Sequence, residues 1–186
     1  MGAEERSELA LAMLGDVLTA CRAVGETTVV TADADAAELA EELGAVIVGD
    51  PGGGQGAAVA AALGSGRTLV VNADLPCATA HDLRQLERAI PKHGLALVEA
   101  SDGTTNALGL SSADLFAPLY GPGSAERFRA LAQSVSVVLP NLARDVDTVA
   151  DLEGVQHAAG PRTQAALAAT ATERPGRALP GPAGYA

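Results

Sequence analysis

Aromatic side chains are nearly absent from this 186-residue chain, which has no tryptophan, two tyrosines and two phenylalanines. Proteins that grip single-stranded nucleic acid stack its bases on exposed rings, so that class of partner is disfavoured. Positive charge is scarce as well: 12 lysines and arginines stand against 23 acids, for a formal net charge of −11. Phosphate backbones are bound by basic faces, so the charge balance argues against nucleic acid a second time. A single small anion held by local dipoles remains compatible with it. The two cysteines, Cys21 and Cys77, show neither CxxC nor metal-ligand spacing and read as reduced and structural. No apolar run approaches the ~18 residues of a membrane span. The opening MGAEERSEL is polar and acidic, and Arg6 stands where a myristoylation signal needs serine or threonine. The expectation is a cytoplasmic protein with no membrane partner. Catalytic signatures are missing too. There is no GxSxG elbow and no HExxH, and His81, His93 and His157 fall in helix or connector segments.

What is abundant is small and apolar. Hydrophobic residues make up 48% of the chain, mostly alanine, leucine and valine, a composition that suits a layered α/β fold in one domain. Helical spacing of Leu11, Leu14, Leu18 and Cys21 predicts a helix over 4–23. Strands are expected at Thr27–Thr31, Ala45–Val48, Leu69–Val71, Leu95–Val98 and Val135–Leu139. Helices are expected from Asp33 or Asp35 to Leu43, over 57–63, over 80–89, from Ser124 to about Gln133, after Asp147, and from Pro161. Thr104-Thr105-Asn106 reads as a polar loop and Ala107–Leu110 as a short apolar segment. Alternating strands and helices predict a mainly parallel sheet covered on both faces, over residues 1–171. The Pro/Gly-rich stretch 172–186 is expected to stay disordered.

Ligands of such sheets bind beyond the carboxyl ends of the strands, and three polar features fall there. Asn72-Ala73-Asp74-Leu75-Pro76 follows a buried strand; an acid in that place also serves as a turn or helix cap. Asp145-Val146-Asp147-Thr148 carries two carboxylates on one side of an extended segment. If it returns beside Asp74, like charges converge and need a cation, and an oxygen-only donor set suits Mg²⁺. The competing reading is a helix cap, because Thr148 and Asp151 have capping-box spacing. The third feature is Gly121-Pro122-Gly123-Ser124. With Ser124 as N-cap, the following N–H groups are open to an anion, and Arg127 lies near to help. The cluster Gly52-Gly53-Gly54 sits between a strand and a helix, as phosphate cradles do, although its spacing is neither GxGxxG nor GxxxxGK[ST].

Taken with Asp50-Pro51-Gly52-Gly53-Gly54, Ala73-Asp74-Leu75-Pro76, Thr105-Asn106-Ala107-Leu108, Gly121-Pro122-Gly123-Ser124, Asp145-Val146-Asp147-Thr148 and Gly160-Pro161-Arg162-Thr163, the chain resembles a known family. These are the 2-phospholactate and phosphoenolpyruvate guanylyltransferases of deazaflavin coenzyme F-420 biosynthesis, relatives of the molybdenum-cofactor guanylyltransferases. The resemblance implies a Rossmann-like nucleotidyltransferase fold. It implies transfer of the guanylyl group of GTP to the phosphate of 2-phospho-L-lactate or phosphoenolpyruvate, with pyrophosphate released. Asp74, Asp145 and Asp147 would hold Mg²⁺, and Thr105, Gly121 and Ser124 would bind the phosphorylated acid. Gly52, Gly53 and Gly54 would meet the nucleotide. GTP and the acid are the partners implied, with room left for a homodimer. Members usually also carry a leading strand and a lysine-bearing basic loop around the nucleotide phosphates. Here the sole lysine, Lys92, lies elsewhere, and Gln55-Gly56 stand where the family has Leu-Asn. A chain of the same fold that is inactive or fragmentary for want of that loop is the alternative.

Overall fold

Four-residue spacing of Leu9, Met13 and Val17 along helix α1 (Ala3–Arg22) buries one stripe, with Leu18 and Ala20 beside it. Of the expected stripe only Leu18 is fully buried; Leu11, Leu14 and Cys21 are half-exposed. The difference has a cause in packing: α1 serves two clusters at once, one through Val17 and Ala20 and another through Leu9 and Met13. The computed structural model describes residues 2–172, so the tail expected to be disordered lies, from residue 173 onward, outside the described residues.

After α1 come β1 (Thr28–Thr31), α2 (Ala34–Glu42), β2 (Val46–Gly49), α3 (Gln55–Ala62), β3 (Thr68–Val71), α4 (Ala80–Ala89), β4 (Leu95–Glu99) and β5 (Thr105–Leu110). A short 3-10 turn, Ala113–Leu115, leads to α5 (Ser124–Leu131), β6 (Ser134–Ser136), α6 (Val149–Val155) and α7 (Pro161–Thr172). The strands form two sheets. β1 and β2 pair in parallel; the second sheet has the order β3-β5-β4-β6. In it β4 and β6 are parallel, while β5 runs against both β3 and β4. The α/β class therefore holds, with one reversed strand at the centre.

Side-chain alternation divides the second sheet into two faces. Leu95, Leu97, Leu108 and Leu110 meet Ala125 and Phe128 of α5 on one side. Ala96, Val98 and Ala107 meet Val17 of α1 and Leu83 and Leu86 of α4 on the other. Helices thus cover both faces. The segment read as a polar loop followed by an apolar piece is the buried strand β5. Thr105 and Asn106 tolerate burial because distant partners satisfy them, which local sequence does not reveal. β6 is shorter than expected, and Val138 beyond it is 89% exposed.

Among the described residues no helix is long and apolar enough to cross a membrane. Both cysteines are free thiols. Burial pushes the Cys21 thiol up to about 11, so at pH 8 only about one molecule in a thousand carries the thiolate. Alkylation of Cys21 by iodoacetamide at that pH should run roughly 10²-fold slower than that of free cysteine. Mass spectrometry of the labelled peptide checks this.

Candidate active site

β3 ends at Val71, but its pairing with β5 continues one step further, since the Asn72 N–H donates to the Asn106 carbonyl at 3.0 Å. The chain then turns through Asp74. Two backbone bonds hold this turn: Val146 N–H to the Asp74 carbonyl at 3.1 Å, and Gly160 N–H to the Pro76 carbonyl at 2.8 Å. The first brings the segment 145–147 alongside. Val146 packs toward Leu9, Met13 and Leu152, so its neighbours Asp145 and Asp147 point the opposite way, toward Asp74. One carboxylate oxygen from each of Asp74, Asp145 and Asp147 lies within 4.8 Å of the other two.

The electrostatics of this trio are unfavourable as it stands. Burial pushes the Asp74 carboxyl above the ordinary carboxylate range, and the charges of Asp145 and Asp147 push the same way. Asp74 Oδ1 is buried and accepts no hydrogen bond. A buried, partnerless oxygen on a carboxylate that clusters with two others is what a hard divalent cation would satisfy, so the donor set fits Mg²⁺. The helix-cap reading does not compete for these acids. Thr148 Oγ1 accepts from the Asp151 N–H at 3.2 Å, and Asp151 Oδ2 accepts from the Thr148 N–H at 2.8 Å. The capping box thus consists of Thr148 and Asp151 and leaves Asp145 and Asp147 out.

Thr105 and Ser124 also meet, although 19 residues apart: Ser124 Oγ donates to Thr105 Oγ1 at 3.1 Å, both side chains being buried. Gly121 joins them through its carbonyl, which accepts from the Ser124 N–H at 3.0 Å. Three expectations for this region are corrected. The N-cap of α5 is Gly123, at φ +70, and Ser124 is the first helical residue. Only glycine takes that left-handed conformation without strain, so the turn places its cap one residue earlier. The first-turn N–H groups are also not all open to an anion, because those of Ser124 and Ala125 donate to the Gly121 and Gly103 carbonyls. Nor is Arg127 free to help. Its guanidinium donates to the carbonyls of Leu119, Tyr120 and Pro122 and braces the loop.

Gly52, Gly53 and Gly54 form an exposed turn with φ of +75, +87 and +87, closed by the Gly52 N–H donating to Asp50 Oδ1 at 2.8 Å. The residue after them, Gln55, reaches a cleft of about 330 Å³ that it shares with Met13, Asn72 and Asp74. The three glycines border the start of α3 and do not line that cleft. A second cleft of about 340 Å³ lies on the side of Asp145 and Asp147, with Ser101, Asp102 and Arg144 in its wall. The carboxylates therefore stand between two openings, an arrangement that suits the joining of two substrates.

Residues 10–138 match the family model of the MobA-like NTP transferase domain. The chain belongs to this family. Among curated relatives it is 39% identical over 181 residues to the phosphoenolpyruvate guanylyltransferase of Nocardia farcinica, covering 88% of this chain and 80% of that one. It is 37% identical over 165 residues to the enzyme of the same name from Sphaerobacter thermophilus, covering 81% and 80%. A solved structure from Desulfovibrio desulfuricans G20, assigned there to the nucleotide-diphospho-sugar transferases, superposes with a TM-score of 0.70 at 18% identity. It covers 92% of this chain and 86% of that one, a likeness of fold alone.

Residues in and behind the candidate site have partners that their sequence positions did not announce. Asp16 of α1 caps α7 across the molecule, accepting from the Arg162 N–H at 3.1 Å and the Thr163 N–H at 2.8 Å. Its helical position gave no signal, because the bond closes over 146 residues. Asn72 was visible as a polar residue at a strand end and Asn106 in what read as a polar loop, yet their mutual contact appears only when β3 and β5 pair.

Proposed function

We propose that this chain is a phosphoenolpyruvate guanylyltransferase of the cytoplasm, joining the guanylyl group of GTP to the phosphate of phosphoenolpyruvate and releasing pyrophosphate. The observation that carries the reading is the trio of carboxylate oxygens within 4.8 Å of one another, set between two clefts. The names borne by relatives at 39% and 37% identity supply the acceptor. The place of the reaction in deazaflavin coenzyme synthesis follows from the family resemblance.

The chemistry asks little of side-chain bases. A phosphate monoester has its second pKa at about 6, so at neutral pH the acceptor is already a nucleophilic dianion. One of its oxygens attacks the α-phosphorus of GTP. The new P–O bond forms as the bond to the bridging oxygen breaks, and that oxygen leaves with the electron pair as pyrophosphate. Asp74, Asp145 and Asp147 would hold Mg²⁺, which supplies neutralisation of the charge gathered on the phosphates. Thr105 and Ser124 offer buried hydroxyls to the phosphorylated acid, and the Gly121 turn shapes that subsite. The turn of Gly52, Gly53 and Gly54 would border the nucleotide, held in shape by the Gly52 N–H donating to Asp50.

Pyrophosphate release with GTP and phosphoenolpyruvate tests the proposal, with 2-phospho-L-lactate as the competing acceptor. No release with either acid at millimolar Mg²⁺ would overturn it. Ser124→Ala should raise KM for the acid by about tenfold, the worth of one buried hydrogen bond, with kcat changed far less. An unchanged KM removes Ser124 from the acceptor subsite. A second reading, a chain of this fold not active by itself, is favoured by the division of the strands into two sheets and by the sole lysine lying away from the site. The same assay separates the two.

A further inference from the structure

Asp145 closes a line of side-chain amides. Its Oδ1 accepts from Asn106 Nδ2 at 3.4 Å, Asn106 Oδ1 accepts from Asn72 Nδ2 at 3.4 Å, and Asn72 Oδ1 accepts from Gln55 Nε2 at 2.7 Å. The orientation of all three amides follows from one end. An ionised carboxylate only accepts, so Asn106 must turn its NH₂ toward Asp145; its oxygen then faces Asn72, which must donate, and the same logic passes to Gln55. Every link therefore points the same way.

The backbone builds this line deliberately. Asn72 and Asn106 are cross-strand neighbours at the end of the β3–β5 ladder, so their side chains share a face. On the other side, β4 slips register: Val98 pairs with Ala107 and Glu99 with Thr105, which leaves Asn106 without a β4 partner. Such a bulge re-aims the side chain it carries. Asn106 is 1% exposed, and a buried amide so placed is costly unless its bonds are made. Gln55, at the far end, is exposed and is the first residue of α3, directly after Gly54.

We infer that Asn106 and Asn72 are positioning residues, which hold Asp145 by one oxygen so that the other faces the cation, and which tie that carboxylate to Gln55 at the edge of the glycine turn. The inference rests on the metal reading above and adds to it a mechanical link between the nucleotide side of the site and one carboxylate. Rearrangement of the glycine turn on nucleotide binding would then change how Asp145 presents itself.

Mn²⁺ titration of the full chain, followed by electron paramagnetic resonance, reads this without turnover. Asn106→Ala should weaken Mn²⁺ binding by about tenfold, as loss of a partner behind a metal ligand does. Gln55→Ala touches no carboxylate and sits at the surface; it should weaken binding about two- to fivefold with no change in melting temperature. In the Asn106→Ala background, Gln55→Ala should have no further effect, because the line is already cut. Additive effects, or a Gln55→Ala variant that binds Mn²⁺ as wild type does, overturn the inference. If Asn106→Ala does not fold, Asn72→Ala replaces it in the same cycle with the same expectations. Wild-type protein that binds no Mn²⁺, or binds it equally well as Asp74→Asn, overturns the metal reading itself. Binding lost in Asp74→Asn but additive at Gln55 and Asn106 overturns only the amide line.

Discussion

Asp74→Asn should lower pyrophosphate release by at least ~10³-fold, the scale on which preorganised charge stabilisation is lost, while the metal-free protein melts no lower than wild type. The two halves of this expectation have one cause. Asp74 carries a buried, partnerless oxygen, and its carboxylate clusters with two others, so the free fold is strained by a charge that a bound cation would relieve. Removing the charge removes both the strain and the chemistry. The sign with pH follows. The folded carboxyl is raised above its ordinary value by burial first and by Asp145 and Asp147 after it. Ionised Asp74 therefore destabilises the metal-free fold at neutral pH, and the penalty is relieved as pH falls through the raised value toward the ordinary one. Wild type without divalent cations should gain stability over that acidic window, and Asp74→Asn should not. Thermal melts with a chelator present, paired with a pyrophosphate assay, check both. Full activity in Asp74→Asn would sink the account of the site.

Asp16→Ala is expected to be the most damaging substitution for stability, at a cost of about 2–4 kcal/mol, since it strands one buried and one part-buried N–H donor. That corresponds to a fall in melting temperature of about 5–10 °C for a chain of this size. Asp16 is 6% exposed and serves the Arg162 and Thr163 N–H groups at the start of α7. The close approach depends on Gly160, where an added Cβ would lie 2.3 Å from the Asp16 carboxyl carbon. Gly160→Ala should therefore destabilise by a comparable amount, by pushing the acid off its donors. The effect reaches the active site, because the Gly160 N–H also holds the Pro76 carbonyl behind Asp74. A loosened α7 should lower turnover at temperatures well below the melt. Urea unfolding of both variants gives the free energies; a change under 1 kcal/mol in Asp16→Ala would mean that α7 is not anchored this way.

Elements whose evidence is local were legible beforehand. α4 runs over Ala80–Ala89 as its pattern required, and Asp33 caps α2 through the Ala36 N–H at 2.9 Å. Thr148 and Asp151 form the capping box that their spacing suggested. β5 was not legible, because Thr105 and Asn106 look like loop residues until Ser124, Asn72 and Asp145 are brought to them. The α5 cap was misplaced by one residue, since a serine is the commoner cap and only the left-handed φ of Gly123 overrules it.

For the site the division is similar. Composition and charge argued against a nucleic-acid partner, and the acids at expected strand ends pointed to Asp74, Asp145 and Asp147, because residue type and local periodicity are properties of short windows. That these three share one point in space, that Asp16 locks α7, and that an amide line runs from Gln55 to Asp145 were decided only by the tertiary structure. Each joins segments far apart in the chain, and such contacts exist only once the sheet and its helices have packed.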